Sequence, residues 1–460
     1  MKIIICGAGR VGTTLAKHLA GEGMSVTVID TDAELIRHID ESYDVRGVTG
    51  HASHPRTLRK AGAQDADLLI AVTRSDEVNM VACQIAYSLF GVKRRIARLR
   101  HAGYLEQDGS GLYAAEHLPI DIIISPEIEI ADSIVRLLRT PGAFDMVTMA
   151  NRRITLLGIH VEQRRSPITG QRLADLSHDP RFANISIVAI ARQGRSFVPG
   201  SDDQVQQGDD VYIVTKTEKI EEAMEVFGHW EQQARRVVIV GAGNIGLHLA
   251  QKIRKVSPNV NLKIVERDRK RAEEVATELG SGAVILHGEA LEGVLLDDAH
   301  AGSAETVVAV TNDDEVNIFA SVLAKRAGCQ RTISLVNKRI YETLTPSLGI
   351  DALVNPSAIT ISTVLRHIRR GSISALYTLR EDFGEVIEAT VPEHSALIGQ
   401  PLDQLGFPAD MKIAAILRET DVLIPCADTR LHAGDHVVVL ITYNNLHLAE
   451  TLFVAETERV

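Results

Sequence analysis

Short apolar runs recur along the first 138 residues, separated by stretches with helical spacing. Ile3-Ile4-Ile5-Cys6, Val26-Thr27-Val28-Ile29 and Leu68-Leu69-Ile70-Ala71 leave little room for a solvated face. Parallel strands covered by helices on both sides read this way. The pattern predicts strands near 2–6, 25–29, 44–48, 68–72, 94–99 and 121–124, with helices near 11–21, 32–41, 54–61, 76–90 and 127–138. Strand and helix in strict alternation imply a doubly wound sheet. Thr140-Pro141-Gly142 then breaks the pattern. Beyond it, ITLLGIHV, ISIVAIA, RSFVP and DDVYIVT are short strands between turns, and 218–227 reads as a closing helix.

The second half repeats the first. A shift of about 235 residues sets GAGRVG on GAGNIG and DADLLIAVTRSDEVN on SAETVVAVTNDDEVN. The same shift, with small gaps, sets LPIDIIISP on LGIDALVNP and QGDDVYIVT on AGDHVVVLIT. The expected fold class is α/β: a tandem duplication of a Rossmann-like, doubly wound domain followed by a small α+β domain. The expected domains are 1–138, 143–227, 235–370 and 372–457, with Arg369-Arg370-Gly371-Ser372 as the second joint.

Each copy opens with a glycine turn between an apolar run and a helical stretch: Gly7-Ala8-Gly9-Arg10-Val11-Gly12 and Gly241-Ala242-Gly243-Asn244-Ile245-Gly246. In such a turn the first glycine permits the tight bend. The second lets a pyrophosphate approach the backbone, and the third lets helix and strand pack closely. Phosphates then sit on free N–H groups at the positive end of the helix. An acid about 20 residues on is the second test of a dinucleotide site. Asp30 meets it in the first copy and Glu266 in the second. A carboxylate there accepts from ribose hydroxyls and repels the extra phosphate of NADP. The first copy therefore reads as an NAD(H) site, with Asp32 as further negative charge. The second is less clean, because Arg267 follows Glu266 directly; glycines kept there only for packing are the alternative.

Thr73 and Thr311 end the fourth strands at the carboxyl edge of the sheets, where ligands of open α/β sheets bind. Arg98, in RIARLR, ends the fifth strand within reach of a phosphate; the matching TISLVN has no arginine. Arg98 as a solvated surface residue is the alternative. His51 and His54, in GHASHP, read as loop histidines shaping the cleft rather than as catalysts.

Composition narrows the classes. A net charge of −11 argues against nonspecific nucleic-acid binding. The four cysteines, Cys6, Cys83, Cys329 and Cys426, form no CxxC pair, which suits a reducing compartment. No apolar stretch approaches the ~20 residues of a membrane span, and the opening run reads as a buried strand, so a cytosolic protein is expected. HExxH, GxSxG and P-loop motifs are missing from the sequence. No catalytic residue or metal site is expected. A sensor is favoured over the alternatives, an NAD-dependent oxidoreductase with duplicated Rossmann domains or a nucleotide-binding scaffold.

The order of motifs from KIIICGAGRVG through GHASHPRTLRKAGAQDADLLIAVTRSDEVNMVACQIAYSLF and RIARLR to AVTNDDEVNIFASVLAKR resembles the TrkA family. The resemblance covers nearly the whole chain. It implies two RCK units, each an NAD-binding domain followed by a small ligand-binding domain. It implies a cytoplasmic regulatory subunit, peripheral on the inner face of the membrane, that gates potassium uptake through a TrkH- or TrkG-type membrane subunit. A homo-oligomer, expected to be a ring-like tetramer, follows from the same source, as does ATP or ADP as a further ligand of one cleft. The family's NAD site falls on Gly7, Ala8, Gly9, Arg10, Val11, Asp30, Thr73, Arg74 and Arg98. In the second copy it falls on Gly241, Ala242, Gly243, Asn244, Ile245 and Glu266. His51 stands where many RCK domains have an acid.

Overall fold

The first apolar run becomes the inner strand of a parallel sheet because both its faces are covered: Ile3, Ile4, Ile5 and Cys6 are all buried. The computed structural model describes residues 1–460 except 106–110, 162–165, 343, 369–372, 380–382, 446–447, 449–451 and 454–460. The joint expected at 369–372 lies outside the described residues.

The first sheet comprises β1 (Lys2–Cys6), β2 (Ser25–Asp30), β3 (Arg46–Thr49), β4 (Leu68–Ala71), β5 (Arg94–Arg98) and β6 (Ile122–Ile124). All its pairs are parallel, in the order β3-β2-β1-β4-β5-β6. Strand order reverses between β1 and β4, which makes their carboxyl ends the switch point where a ligand crevice opens. One boundary differs from expectation. β3 starts at Arg46 rather than 44, because Val45 N–H first closes a tight bend onto Tyr43 O. Leu58, Leu69, Cys83 and Ala97 fill the core on one side of the sheet. Each fully buried aliphatic side chain of leucine size contributes about 1.5–3 kcal/mol.

Beyond the break come β7 (Ala143–Met149), β8 (Ile154–His160), β9 (Ile185–Arg192), β10 (Arg195–Phe197) and β11 (Asp210–Lys216). They form an antiparallel sheet in the order β10-β9-β11-β8-β7. β7 was not anticipated. Asp145 and Thr148 interrupt its apolar residues, so no alternation shows in AFDMVTM. The closing helix runs Ile220–Val226, after a short 3-10 turn.

The second half rebuilds both sheets. Strands β12 (Arg236–Val240), β13 (Asn261–Glu266), β14 (Val284–His287), β15 (Thr306–Ala309), β16 (Arg331–Leu335) and β17 (Ala352–Val354) take the order β14-β13-β12-β15-β16-β17. Strands β18 (Ile373–Leu379), β19 (Gly384–Thr390), β20 (Met411–Arg418), β21 (Asp421–Leu423) and β22 (His436–Thr442) repeat the antiparallel sheet. The two antiparallel sheets share one core, with Leu156, Val188 and Val214 from one side and Val386, Ala414 and Val438 from the other. Lys412, partly buried, donates from Nζ to Ile187 O at 2.7 Å.

The chain forms two compact units: 1–130 with 356–367, and 131–355 with 368–460. The duplication is therefore exchanged. The helix Pro356–Ile368, which follows the second parallel sheet, belongs almost entirely to the first unit. Most of the helix Pro126–Arg139, which follows the first sheet, belongs to the second. One arginine fixes each end. Within the first unit Arg94 Nη2 donates to His367 O at 2.6 Å. Within the second, buried Arg331 donates to Leu137 O at 2.6 Å and to Ala143 O. Arg94 and Arg331 open β5 and β16, and Leu137 and His367 hold matching places near the ends of their helices. A cation on the last carbonyls of a helix complements its dipole. Burial pulls the Arg331 guanidinium down to about 10.

Candidate functional site

Each glycine turn joins the carboxyl end of a central strand to a long helix, Arg10–Gly21 or Asn244–Val256. The three glycines of each turn have different reasons to be glycine. Gly7 and Gly241 have φ of +111° and +101°, a conformation that favours glycine. A Cβ on Gly12 would stand 1.8 Å from Gly7 O, and one on Gly246 would stand 2.0 Å from Gly241 O. Gly9 and Gly243 are another matter. Both are exposed, both have ordinary extended backbone, and a Cβ on either would meet nothing within 4 Å. The fold does not require glycine there in either half. Packing alone therefore does not explain the second turn.

The two acids hold the turns. Asp30 Oδ2 accepts from Ala8 N at 2.6 Å and its Oδ1 from Asp32 N at 2.9 Å. Glu266 repeats this with Ala242 N at 2.7 Å and Asp268 N at 2.9 Å. Each acid thus pins the glycine turn to the end of its second strand. Asp30 Oδ2 and both oxygens of Glu266 each retain a lone pair for a further donor, while Asp30 Oδ1 also accepts from Thr31 Oγ1 at 3.4 Å.

The other wall has a support that the motif reading missed. Thr73 N–H and Oγ1 both donate to Asn79 Oδ1, at 3.0 and 2.6 Å, and Asn79 Nδ2 donates to Arg98 O at 2.8 Å. Thr311, Asn317 and Leu335 repeat the set at 2.8, 2.7 and 2.9 Å. Asp76 Oδ2 receives Arg100 N and His101 N at 2.8 and 2.9 Å, and Asp314 receives Asn337 N and Lys338 N at 2.9 and 2.7 Å. Asn79, Asn317, Asp76 and Asp314 are all buried. The signal for them was the identical Asp-Glu-Val-Asn at 76–79 and 314–317, which reads first as evidence of duplication.

Arg98 is not a solvated surface residue. It is half-buried, its Nε is buried without a partner, and burial followed by the neighbouring Arg100 pulls its guanidinium down to about 10. Such a group gains from an anion that supplies the missing acceptor. The remaining expected residues rim the turns: Arg10, Arg74 and Asn244 are exposed, Ala8, Val11 and Ala242 are buried, and Ile245 is half-buried. His51 and His54 stack at 4.8 Å, with Ser53 Oγ 2.7 Å from His51 Nδ1. Open middle glycines, free N–H groups at a helix start and an unsatisfied guanidinium fit an anionic dinucleotide. Among the described residues no group of three or more His, Cys, Asp or Glu is placed to hold a metal ion.

Comparison with known proteins places these features. The TrkA-N domain model matches residues 3–126 and 237–356, and the TrkA-C domain model matches 163–228 and 386–454. A "Trk system potassium uptake protein TrkA" of Azorhizobium caulinodans is 41% identical over 453 residues, covering 98% of both chains. Its namesake in Halomonas elongata is 38% identical, covering 96% of both. Among solved structures, the GsuK RCK domain has a TM-score of 0.59 at 17% identity, covering 98% of this chain and 94% of that one. The GsuK channel bound to NAD has a TM-score of 0.59 at 16% identity, covering 98% of this chain and 78% of that one. At these identities the structures show the fold.

Proposed function

The chain belongs to the TrkA family, and we propose that it is the nucleotide-sensing regulatory subunit that gates a Trk-type potassium-uptake system. The observation that carries this reading is the pair of middle glycines, Gly9 and Gly243, which nothing in the fold requires. A backbone kept bare in an exposed turn, in two copies, suits a ligand that must approach it. The relatives are named for potassium uptake and not for a reaction, which sets the oxidoreductase alternative aside.

In this reading the first cleft binds NAD(H) at the turn Gly7–Gly12, through the free N–H groups at the start of the helix that follows, with Asp30 on the ribose and Arg98, Arg74 and Thr73 on the phosphate side. The second uses Gly241–Gly246, Glu266 and Thr311, and ATP or ADP competes at one of the two. Among the described residues no helix is long and apolar enough to cross a membrane. The proposed division of labour puts ion flux in a TrkH- or TrkG-type membrane subunit and sensing in a homo-oligomer of this chain on the cytoplasmic face. Nucleotide acts by its differential affinity for two states of that assembly, a coupling of about 1–3 kcal/mol in typical cases.

The test is binding together with flux. Gly9→Val should abolish NADH binding at the first cleft by calorimetry while the chain still co-purifies with the membrane subunit. An unmutated chain that binds no nucleotide would end the reading.

A further inference from the structure

The residues that follow the two acids differ in charge. Residues 30–35, Asp-Thr-Asp-Ala-Glu-Leu, carry three carboxylates and no cation. The matching residues 266–271, Glu-Arg-Asp-Arg-Lys-Arg, carry two carboxylates and four cations. In a dinucleotide-binding fold this junction faces the adenosine ribose, and a 2′-phosphate is accommodated there by an arginine.

The four cations are not equivalent. Arg269 pairs with Glu273 at 3.0 Å, and Lys270 faces Glu274 at 3.9 Å. Arg271 turns inward: its Nε donates to Ala242 O at 2.9 Å, which fixes a positive charge against the glycine turn, and its Nη1 meets Glu274 at 3.3 Å. Its counterpart in the first half is Leu35, which is exposed. Arg267 is exposed, directly after Glu266, and has no partner among the described residues. Its counterpart is Thr31, whose Oγ1 lies 3.4 Å from Asp30 Oδ1. Glu266 itself is occupied by two backbone N–H groups. The carboxylates match across the repeat, since Asp30 accepts the same two backbone N–H groups and Asp268, like Asp32, caps the helix that follows; around the second ribose position they stand beside one free and one anchored guanidinium. Around the first, Asp30 stands beside Asp32, with no cation among 30–35 to offset either.

We infer that the second cleft admits dinucleotides carrying a 2′-phosphate, of the NADP(H) class, which the first cleft rejects, and that Arg267 is the residue that takes that phosphate. The inference rests on the reading of both clefts as nucleotide sites. Because Glu266 remains, the second cleft accepts both dinucleotides rather than selecting the phosphorylated one. The chain then senses two pools: the unphosphorylated dinucleotide through either cleft and the phosphorylated one through the second alone.

The test uses the purified full-length chain, titrated with NADH and with NADPH by calorimetry. Gly9→Val silences the first cleft and Gly243→Val the second. With the first silenced, NADPH should bind within about fivefold of NADH; with the second silenced, NADH should be favoured by at least about tenfold, the scale of one charge-assisted hydrogen bond. Arg267→Thr, added to Gly9→Val, should weaken NADPH about tenfold and NADH little. Thr31→Arg in the first cleft is the converse variant and should narrow its preference for NADH. The same NADH preference in both clefts, or an NADPH-to-NADH ratio unmoved by Arg267→Thr, overturns the inference while leaving nucleotide sensing intact. If the Gly9→Val chain binds neither dinucleotide, the second cleft is not a nucleotide site, and the inference falls with that part of the proposed function.

Discussion

At the end of β5 the first cleft holds Arg98, half-buried and with an unsatisfied Nε; at the end of β16 the second holds Leu335, also buried. The contrast continues around the rim. Arg10 corresponds to Asn244 in the repeat, His51 to Glu289, His54 to Glu292, and Thr31 to Arg267. Beneath the rim almost nothing has changed. The acid still pins the turn, and threonine and asparagine still brace the opposite wall, with matching bonds agreeing to about 0.2 Å. The lesson is a division between backbone and charge. Groups that hold the turn answer to the fold and are copied. Groups that face outward are not copied: the first half carries Arg10 and Arg98 where the second has Asn244 and Leu335, and the second carries Arg267 and Arg271 where the first has Thr31 and Leu35.

The contrast within each glycine triplet gives the largest expected effect. Gly12→Ala or Gly246→Ala drives a Cβ into a backbone oxygen and should cost more than about 4 kcal/mol of stability, or prevent folding. Gly9→Ala and Gly243→Ala should stay within about 1 kcal/mol. Denaturant melts of the four variants check this, and equal losses at all four would erase the distinction between fold-required and ligand-required glycines.

The exchanged helices give the next effect. Arg331→Met leaves two carbonyls without their donor and should destabilise the second unit by about 2–4 kcal/mol. Arg94→Met removes one bond from a half-buried residue and should cost about 1 kcal/mol or less. Hydrogen exchange in Pro126–Arg139 and Pro356–Ile368 would locate each loss.

Arg98→Ala should then weaken nucleotide at the first cleft by about 1.5–3 kcal/mol, the value of a hydrogen bond to a charged group, and leave the second cleft untouched. Calorimetry in the Gly243→Val background isolates that site. A less clean effect on binding belongs to Asp30→Ala, about 1–3 kcal/mol in NADH affinity. Part of it will be a loosened turn, since Ala8 N–H loses its acceptor. Asp30→Asn, which keeps one acceptor oxygen, should recover part of the loss.

Much of the fold was legible because parallel strands buried on both faces leave near-continuous apolar runs, and the duplication offered each run twice. β7 was missed because Asp145 and Thr148 sit within it. The exchanged helices were beyond reach of any local pattern: Arg94 and His367 lie 273 residues apart in the chain. At the clefts, the glycines and acids could be found because their spacing is tied to the turn. Asp76 and Asn79 could not be assigned a task, since buried side chains that serve distant backbone look in sequence like the polar start of any helix. The role of Asp30 in holding Ala8 was hidden for the same reason.

The central claim is that nucleotide in the first cleft biases a membrane gate. The direct measurement is rubidium flux into vesicles that hold the Trk membrane subunit with this chain bound, as NADH is titrated. The account predicts a saturable change in flux with the unmutated chain and none with Gly9→Val, although that variant still sediments with the vesicles. An undiminished flux response in Gly9→Val, with loss of NADH from the first cleft shown by calorimetry, would contradict it.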